Sequence, residues 1–156
     1  MTLPQGDLRL LETDTARRLL HSRELAHLAY VGRDGTPRVM PMMFLWTGTT
    51  LVMSTFGGAH KIASLRAAPA AAVTIDVGGP PPEVLLLRGP VEVQEVDGVL
   101  PDYVTMQRHY YGDEQAERTA AEIDRPGLRM ARLALTPTWA GVLDFRTRLP
   151  HALSRS

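Results

Sequence analysis

Residues 54–66, with the sequence STFGGAHKIASLR, are the part of the chain whose residue types best suit the binding of an anion. They include Lys61, the only lysine among 17 basic residues, in a chain that otherwise uses arginine for its cations. The pattern predicts a strand that ends near Thr55, a turn at two glycines and a helix that begins near Ala59. Backbone N–H groups at a helix start lack intrahelical partners and carry partial positive charge.

Glycine lets a ligand approach the backbone closely. Together with the Thr55 hydroxyl and the Lys61 ammonium, such a loop predicts a phosphate-binding site. A purely structural interpretation is also open, in which the same residues form an ordinary strand-to-helix turn with a solvated lysine.

The composition limits the classes of function. A chain of 156 residues predicts one domain, with a core over about 12–146 and a loose tail over 147–156. A formal net charge of zero gives no overall electrostatic basis for binding nucleic acid or an anionic membrane surface. The absence of cysteine excludes disulfides and thiolate metal sites, and the five scattered histidines predict no metal site. No leader-like or membrane-spanning run is apparent, so we expect a cytoplasmic protein.

The first half of the chain predicts a helix followed by closely spaced strands. The helix is expected from Thr13 or Asp14. Two strands follow, which Asp34-Gly35 joins as a hairpin. A third strand over 49–56 leads into the glycine loop and a short helix that ends near Pro69.

The second half predicts two strands, two helices and a final bent pair of strands. Strands are expected over 70–77 and 83–96, with a bulge or an edge at Gly89-Pro90, since proline cannot donate to a ladder. Residues 100–123 are predicted to be helical with a break near Gly112, and 128–145 to form two strands bent at Thr136-Pro137. About seven strands joined mostly by tight turns favour an antiparallel, closed or half-open β-barrel over a parallel sheet.

Three stretches resemble the pyridoxamine 5'-phosphate oxidase-like family of flavin-binding split barrels. LAHLAYVGRDGTPRVMPMMF is similar to the family's opening hairpin, STFGGAHKIASLRAAPAAAVTID to its cofactor loop, and LLLRGPVEV to its glycine-bearing fifth strand. The resemblance implies a mainly-β fold, a six-stranded antiparallel Greek-key split barrel that acts as a homodimer. It also implies an oxidoreductase with FMN, or the deazaflavin coenzyme F420, in a groove between the two subunits.

The resemblance also assigns residues to the cofactor. The second strand would line the ring system and the loop would hold the phosphate. These cofactor-binding residues are Arg38, Val39, Met40, Pro41, Met42, Ser54, Thr55, His60 and Lys61. A weaker set could form the rim of the substrate site or reach the partner's cofactor: Tyr110, Trp139 and Arg146. For Tyr110, packing against the barrel is the alternative.

Departures from the family pattern leave the cofactor and substrate open. Pyridoxamine 5'-phosphate oxidases have serine and arginine directly before the lysine, whereas this chain has Ala59 and His60, so pyridoxamine phosphate is not the expected substrate. Shorter relatives include F420-dependent reductases of actinobacteria and haem-associated proteins. The alternatives are therefore an FMN enzyme, an F420-dependent reductase, and a non-enzymatic barrel that binds flavin or haem. F420 ends in several glutamates, and the loop offers few cations for them beyond Lys61, His60 and Arg66, which favours FMN.

No general acid or base can be recognised, so the catalytic residues stay unknown. This is compatible with flavin chemistry, in which the ring carries the hydride and the protein supplies position and electrostatics. The strands over 39–46 and 84–93 are apolar on both faces. Such strands must be covered on both sides, so we expect an obligate homodimer. The other partner that the resemblance implies is a small-molecule substrate, and the zero net charge predicts neither nucleic acid nor membrane as a partner.

Overall fold

The computed structural model describes residues 2–153, which form an antiparallel sheet of eight strands with helices inserted between them. The strands are β1 (Ala26–Val31), β2 (Pro37–Met42), β3 (Leu45–Trp46), β4 (Leu51–Phe56), β5 (Ala70–Val77), β6 (Glu83–Asp97), β7 (Arg129–Leu135) and β8 (Trp139–Leu143). The helices are α1 (Asp14–Leu20), α2 (His60–Ala67), α3 (Pro101–Tyr111) and α4 (Asp113–Ile123), with 3-10 helices at Leu8–Glu12 and His151–Leu153. The predicted mainly-β antiparallel fold is confirmed.

The sheet is open between its two end strands. Its order is β2-β1-β5-β6-β7-β4-β3, and β8 pairs with the first half of β6. No ladder joins β2 to β3 or β4 among the described residues. We call the gap between β2 and β4 the split.

The predicted turns account for most element boundaries. Gly35 and Gly112 have φ values of 79° and 91°, in the left-handed region that glycine tolerates, and they mark the β1–β2 turn and the α3–α4 break. Thr13 is the N-cap of α1, and its Oγ1 accepts a hydrogen bond from the Ala16 N–H at 3.3 Å. The eighth strand, β3, was not predicted as a separate element, because the sequence runs apolar from β2 through Trp46.

A bend at Gly89-Pro90 divides β6 between two parts of the sheet. Its first half pairs with β5 and β8, and its second half pairs with β7. Between the Arg88–Trp139 and Val91–Leu135 pairs, β6 advances three residues while the opposite strand advances four. The extra residue of the predicted bulge therefore lies on the β7–β8 side. If β7 and β8 are taken as one bent strand and the two-residue β3 is set aside, six main strands remain, as the resemblance implied.

Helix α3 connects the two sides of the split. The Tyr110 hydroxyl donates to the Glu24 carbonyl at 2.6 Å, just before β1, and accepts from the Phe44 N–H at 3.3 Å, just after β2. One turn earlier in α3, the Met106 sulfur lies 3.8 Å from the Ser54 hydroxyl of β4. The aromatic rings of Tyr110 and Phe44 also meet edge to face.

Part of the predicted tail is held by hydrogen bonds. The Arg148 guanidinium donates to the Leu3 carbonyl at 2.5 Å, and the Asp144 carboxylate accepts from the backbone N–H groups of residues 146–148. Residues 154–156 of that tail lie outside the described residues, so its looseness there stays a prediction. Within residues 2–153, no helix is long and apolar enough to cross a membrane.

We expect Tyr110→Phe to lower the free energy of unfolding by about 1–3 kcal/mol, because the change leaves the N–H of the buried Phe44 and the Glu24 carbonyl without their partner. Burial raises the pKa of Tyr110 to about 12, so its hydroxyl stays protonated as a donor at neutral pH. Urea denaturation measures the change. The control is Tyr111→Phe, whose side chain is exposed and should alter stability by under about 0.5 kcal/mol. Equal effects of the two substitutions would contradict the bridging role of Tyr110.

Candidate functional site

The edge of β2 that borders the split has few backbone donors. The Gly32 N–H donates to the Thr36 carbonyl at 2.9 Å, which sets the alternation of the β1–β2 ladder. Residues 37, 39 and 41 therefore direct their backbone polar groups away from β1. Two of them are prolines, which have no N–H, so Val39 supplies the only donor among the three. Three carbonyls and one N–H face the opening there.

The edge of β4 that borders the split has free backbone groups too. The Gly57 N–H donates to the Arg129 carbonyl at 2.7 Å, so the alternation directs the N–H groups of Ser54 and Phe56 away from β7. Strand β3 covers only the start of β4, opposite Leu51 and Val52. A ligand in the split would thus meet polar backbone on both sides.

The glycine loop that leaves β4 is shaped by two different constraints. A Cβ at Gly57 would lie 3.0 Å from the Arg129 carbonyl oxygen, so this residue has no room for a side chain. Gly58 has a φ of 82°, which glycine tolerates best. Helix α2 then begins with Ala59 as its N-cap, and no side chain caps it. The Ile62 N–H donates to the Ala59 carbonyl at 3.0 Å, which leaves the N–H groups of His60 and Lys61 available to a ligand.

Lys61 is a half-buried cation beside this loop. Its ammonium donates to the Thr55 hydroxyl at 3.3 Å, and Thr55 is itself buried. Within residues 2–153, Lys61 forms no ion pair with a carboxylate. Burial lowers the pKa of the ammonium from its ordinary value, with no neighbouring charge to oppose the shift. An ammonium has three donors, so the side chain is well placed to bind an anion that the protein itself does not supply.

Ser54 and Thr55 point to opposite faces of β4. Thr55 shares the buried inner face with Leu51 and Met53, whereas Ser54 contacts Met106 of α3. The structure therefore brings Thr55, but not the Ser54 hydroxyl, to Lys61. The assignment of the Ser54 side chain to the cofactor stays a prediction.

The predicted ring-lining strand β2 is unusually exposed for an apolar segment. Val39 is 70% exposed and Met40 is 45% exposed, whereas Met42 is buried. Pairing with β1 places Arg38, Met40 and Met42 on the inner face and Val39 and Pro41 on the outer face. The ring-lining role of these five residues stays a prediction, and Arg38 and Met40 are the two exposed residues on the inner face.

A cavity of about 550 Å³ lies between the β1–β2 hairpin and α2. We call it the hairpin cavity, and its lining includes Tyr30, Arg33, Arg38, His60 and Ser64. The predicted residues Arg38 and His60 thus come together beside the helix that carries Lys61. Arg38 is paired with Asp34 at 2.9 Å, and the guanidinium lowers the pKa of that carboxyl well below its usual range.

Sequence reasoning missed Arg33. An arginine next to an Asp-Gly turn is expected to be solvated. Only the packing of α2 against the hairpin shows that Arg33 lines the same cavity as His60. No local pattern marks this long-range contact.

The three weaker candidates lie apart from Lys61. Tyr110 is buried, and both hydrogen bonds of its hydroxyl go to backbone groups. The Arg88 guanidinium lies over the Trp139 ring, 3.9 Å from the ring centroid. Arg146 is exposed and lines a different cavity. Their rim roles stay predictions, and packing accounts for the contacts of Tyr110.

The model of the pyridoxamine 5'-phosphate oxidase family matches residues 12–139. A solved F420 reductase is similar at 27% identity and a TM-score of 0.63, over 80% of this chain and 94% of that one. A conserved hypothetical protein of Mycobacterium tuberculosis has 16% identity and a TM-score of 0.70, over 100% and 97%. An FMN-binding, pyridoxamine 5'-phosphate oxidase-related protein of Nostoc punctiforme has 18% identity and a TM-score of 0.59, over 83% and 78%. No curated protein sequence matches the chain.

The similarities to the Mycobacterium tuberculosis and Nostoc punctiforme proteins show the fold. The family model matches most of the chain. The open antiparallel sheet, with its six main strands, is that of the split barrels. The chain therefore belongs to the pyridoxamine 5'-phosphate oxidase family.

Proposed function

We propose that the protein binds a phosphorylated flavin-type cofactor, FMN or F420, in the split and uses it as an oxidoreductase on a small organic molecule. The observation that carries this proposal is Lys61, a half-buried ammonium bonded to Thr55 and without a carboxylate partner among the described residues. The similar F420 reductase and the FMN-binding relative support this class of cofactor.

A phosphate beside Lys61 would supply the negative charge that this part of the protein lacks. Burying a cation without a partner is unfavourable, and an anion there forms charge-assisted hydrogen bonds with the ammonium and the first turn of α2. A compact ammonium suffices for a phosphate, which needs no bidentate partner. His60 and Arg38, which line the hairpin cavity beside α2, would offer further N–H donors.

The two edges of the split would hold the ring system. The Val39 N–H can donate to a ring carbonyl or nitrogen, and Met40 offers a soft, polarisable side chain toward the ring. When bound, the ring supplies the hydride-transfer chemistry. The residues of this chain bind and orient it, and we assign no side chain to proton transfer.

We also propose that two copies of the chain associate through the outer face of β1, β2 and β5. Val39 and Val31 are 70% and 46% exposed on this face. Beside them lies an open cleft of about 660 Å³, lined by small residues that include Ala29, Ala70 and Ala72. Arg38 and Arg88 also line this cleft. A largely apolar exposed surface marks an interaction site, and a second copy would cover it.

Substitution of Lys61 tests the cofactor proposal. Lys61→Ala should raise the Kd for FMN and for F420 about tenfold to hundredfold, since a hydrogen bond to a charged group contributes roughly 1.5–3 kcal/mol. Lys61→Arg should restore only part of the affinity, because the wider guanidinium replaces a compact ammonium. Titration of cofactor fluorescence measures both.

The stability of the unliganded protein is the matched control. Because the half-buried ammonium is unpaired, Lys61→Met should leave the free energy of unfolding unchanged or raise it. Unchanged Kd values for both cofactors in Lys61→Ala would contradict the proposal. Tight binding of haem alone, monitored by absorbance, would contradict it as well.

A charge on the outer face tests the association of two copies. Sedimentation should show a dimer of the wild-type protein at micromolar concentration, and Val39→Glu should shift it toward monomer. The control is Tyr111→Glu, a comparable change at a residue that is 60% exposed on α3. A monomeric wild-type protein would contradict this proposal.

A further inference from the structure

We propose that Arg88 of one copy forms an ion pair with Asp76 of a second copy, and that the reciprocal pair forms at the same time. The inference rests on the proposed association of two copies through the outer face, and it specifies the residues that orient them. It also extends the contact from β1, β2 and β5 onto β6.

The outer face continues from β5 across the first half of β6 to β8. Arg88 of β6 lies opposite Ala72 of β5, and Asp76 follows four residues later on β5. The even-numbered residues of these two segments share the outer face, because successive side chains of a strand alternate and the odd-numbered Val73 and Leu87 are buried. Among the strand residues that the structure places on this face, Asp76 is the only carboxylate and Arg88 the only arginine.

Arg88 is an exposed cation without a carboxylate partner. Its guanidinium lies over the Trp139 ring, and within residues 2–153 it forms no ion pair with a carboxylate. The ring restricts the guanidinium, which lowers the entropy that is lost when it meets a partner. A second copy on this face would remove water from the cation, which is unfavourable unless a carboxylate replaces that water.

Asp76 is the carboxylate that such a contact needs. Its Oδ1 lies 3.6 Å from Nδ1 of His27, and 44% of its side chain is exposed, so much of the carboxylate is open to a second copy. Arg88 of the same chain does not pair with it, since four residues of a strand span about 14 Å. The two opposite charges of this face can therefore meet only between copies.

The spacing of the two residues fits a two-fold dimer. In such a dimer the same surface meets itself, so one contact between Arg88 and Asp76 entails a second. With strands about 4.8 Å apart and about 3.4 Å per residue, the axis that exchanges the two positions crosses the strands at about 70°. The strands of the two copies then lie at about 40° to one another, near the roughly 30° of aligned sheets. Thr74 and Leu86, which pair midway between the charges, fall at the centre of this interface.

Two opposite charge reversals test the ion pair by complementation. Arg88→Asp and Asp76→Arg should each raise the Kd of the dimer at least about a hundredfold, because like charges then face one another twice in each homodimer. Mixed in equal amounts, the two variants should form a heterodimer with a Kd within about tenfold of the wild-type value, since both contacts again join an aspartate to an arginine. Sedimentation equilibrium of each variant and of the mixture measures the three Kd values.

Arg118→Asp is the matched control, the same reversal at an exposed residue of α4. It should leave the Kd of the dimer unchanged. Far-UV circular dichroism establishes that each variant is folded. If a reversal prevents folding, Arg88→Gln and Asp76→Asn take its place, and each should raise the Kd about tenfold or more, because each leaves the other charge buried without its partner.

Three results would overturn the inference: wild-type Kd values for both reversals, a mixture that does not associate, or an equal effect of Arg118→Asp. The proposed association fails separately. A monomeric wild-type protein would refute the association itself. If Val39→Glu dissociates the wild-type dimer while Arg88→Asp does not, the outer face remains the interface and only the ion pair is wrong.

Discussion

The division of β6 between two parts of the sheet determines where the rest of the molecule lies. At the bend, a Cβ on Gly89 would lie 2.0 Å from the Thr136 carbonyl oxygen. The connection between β7 and β8 can therefore pass this close to β6 only because residue 89 is a glycine. β5 and β1 extend the sheet from the first half of β6 to β2, and β7 and β4 extend it from the second half. The two ends leave the split between them. Helices α2 and α3, rather than backbone pairing, connect its sides.

Within this frame, Lys61 differs from most cations of the chain. Arg66 and Arg132, for example, are paired with Glu95 and Asp102 across elements. Lys61 has only a hydroxyl, and burial lowers its pKa. Functional sites commonly give up stability for the ligand they must bind. The Val39 N–H of β2 and the Ser54 and Phe56 N–H groups of β4 resemble Lys61 in this respect, because they too are donors that a ligand could satisfy.

The sequence was informative where local chemistry decides the structure. The Asp34-Gly35 hairpin, the Gly112 break and the Thr13 cap all follow from the conformational preferences of single residues, and all were found where predicted. The Thr55–Lys61 contact could be predicted too, because both residues lie within one loop and its flanking elements.

Long-range packing could not be predicted in the same way. Neighbouring residues of a strand face opposite sides, but the position of α3 determines that Ser54 faces this helix while Thr55 faces the core. The approach of Arg33 to His60 follows from the packing of α2 on the hairpin. The expectation of FMN rested on the few cations of the loop, because no local pattern placed Arg33 in the cavity that His60 lines.

The most direct test of the phosphate site changes the ligand and leaves the protein intact. The Kd of the wild-type protein would be measured for FMN against riboflavin, and for F420 against its dephosphorylated deazariboflavin core. The account predicts that the phosphorylated form binds about tenfold to hundredfold more tightly in at least one of the two pairs. Equal affinities within both pairs would show that Lys61 and the glycine loop do not hold a cofactor phosphate.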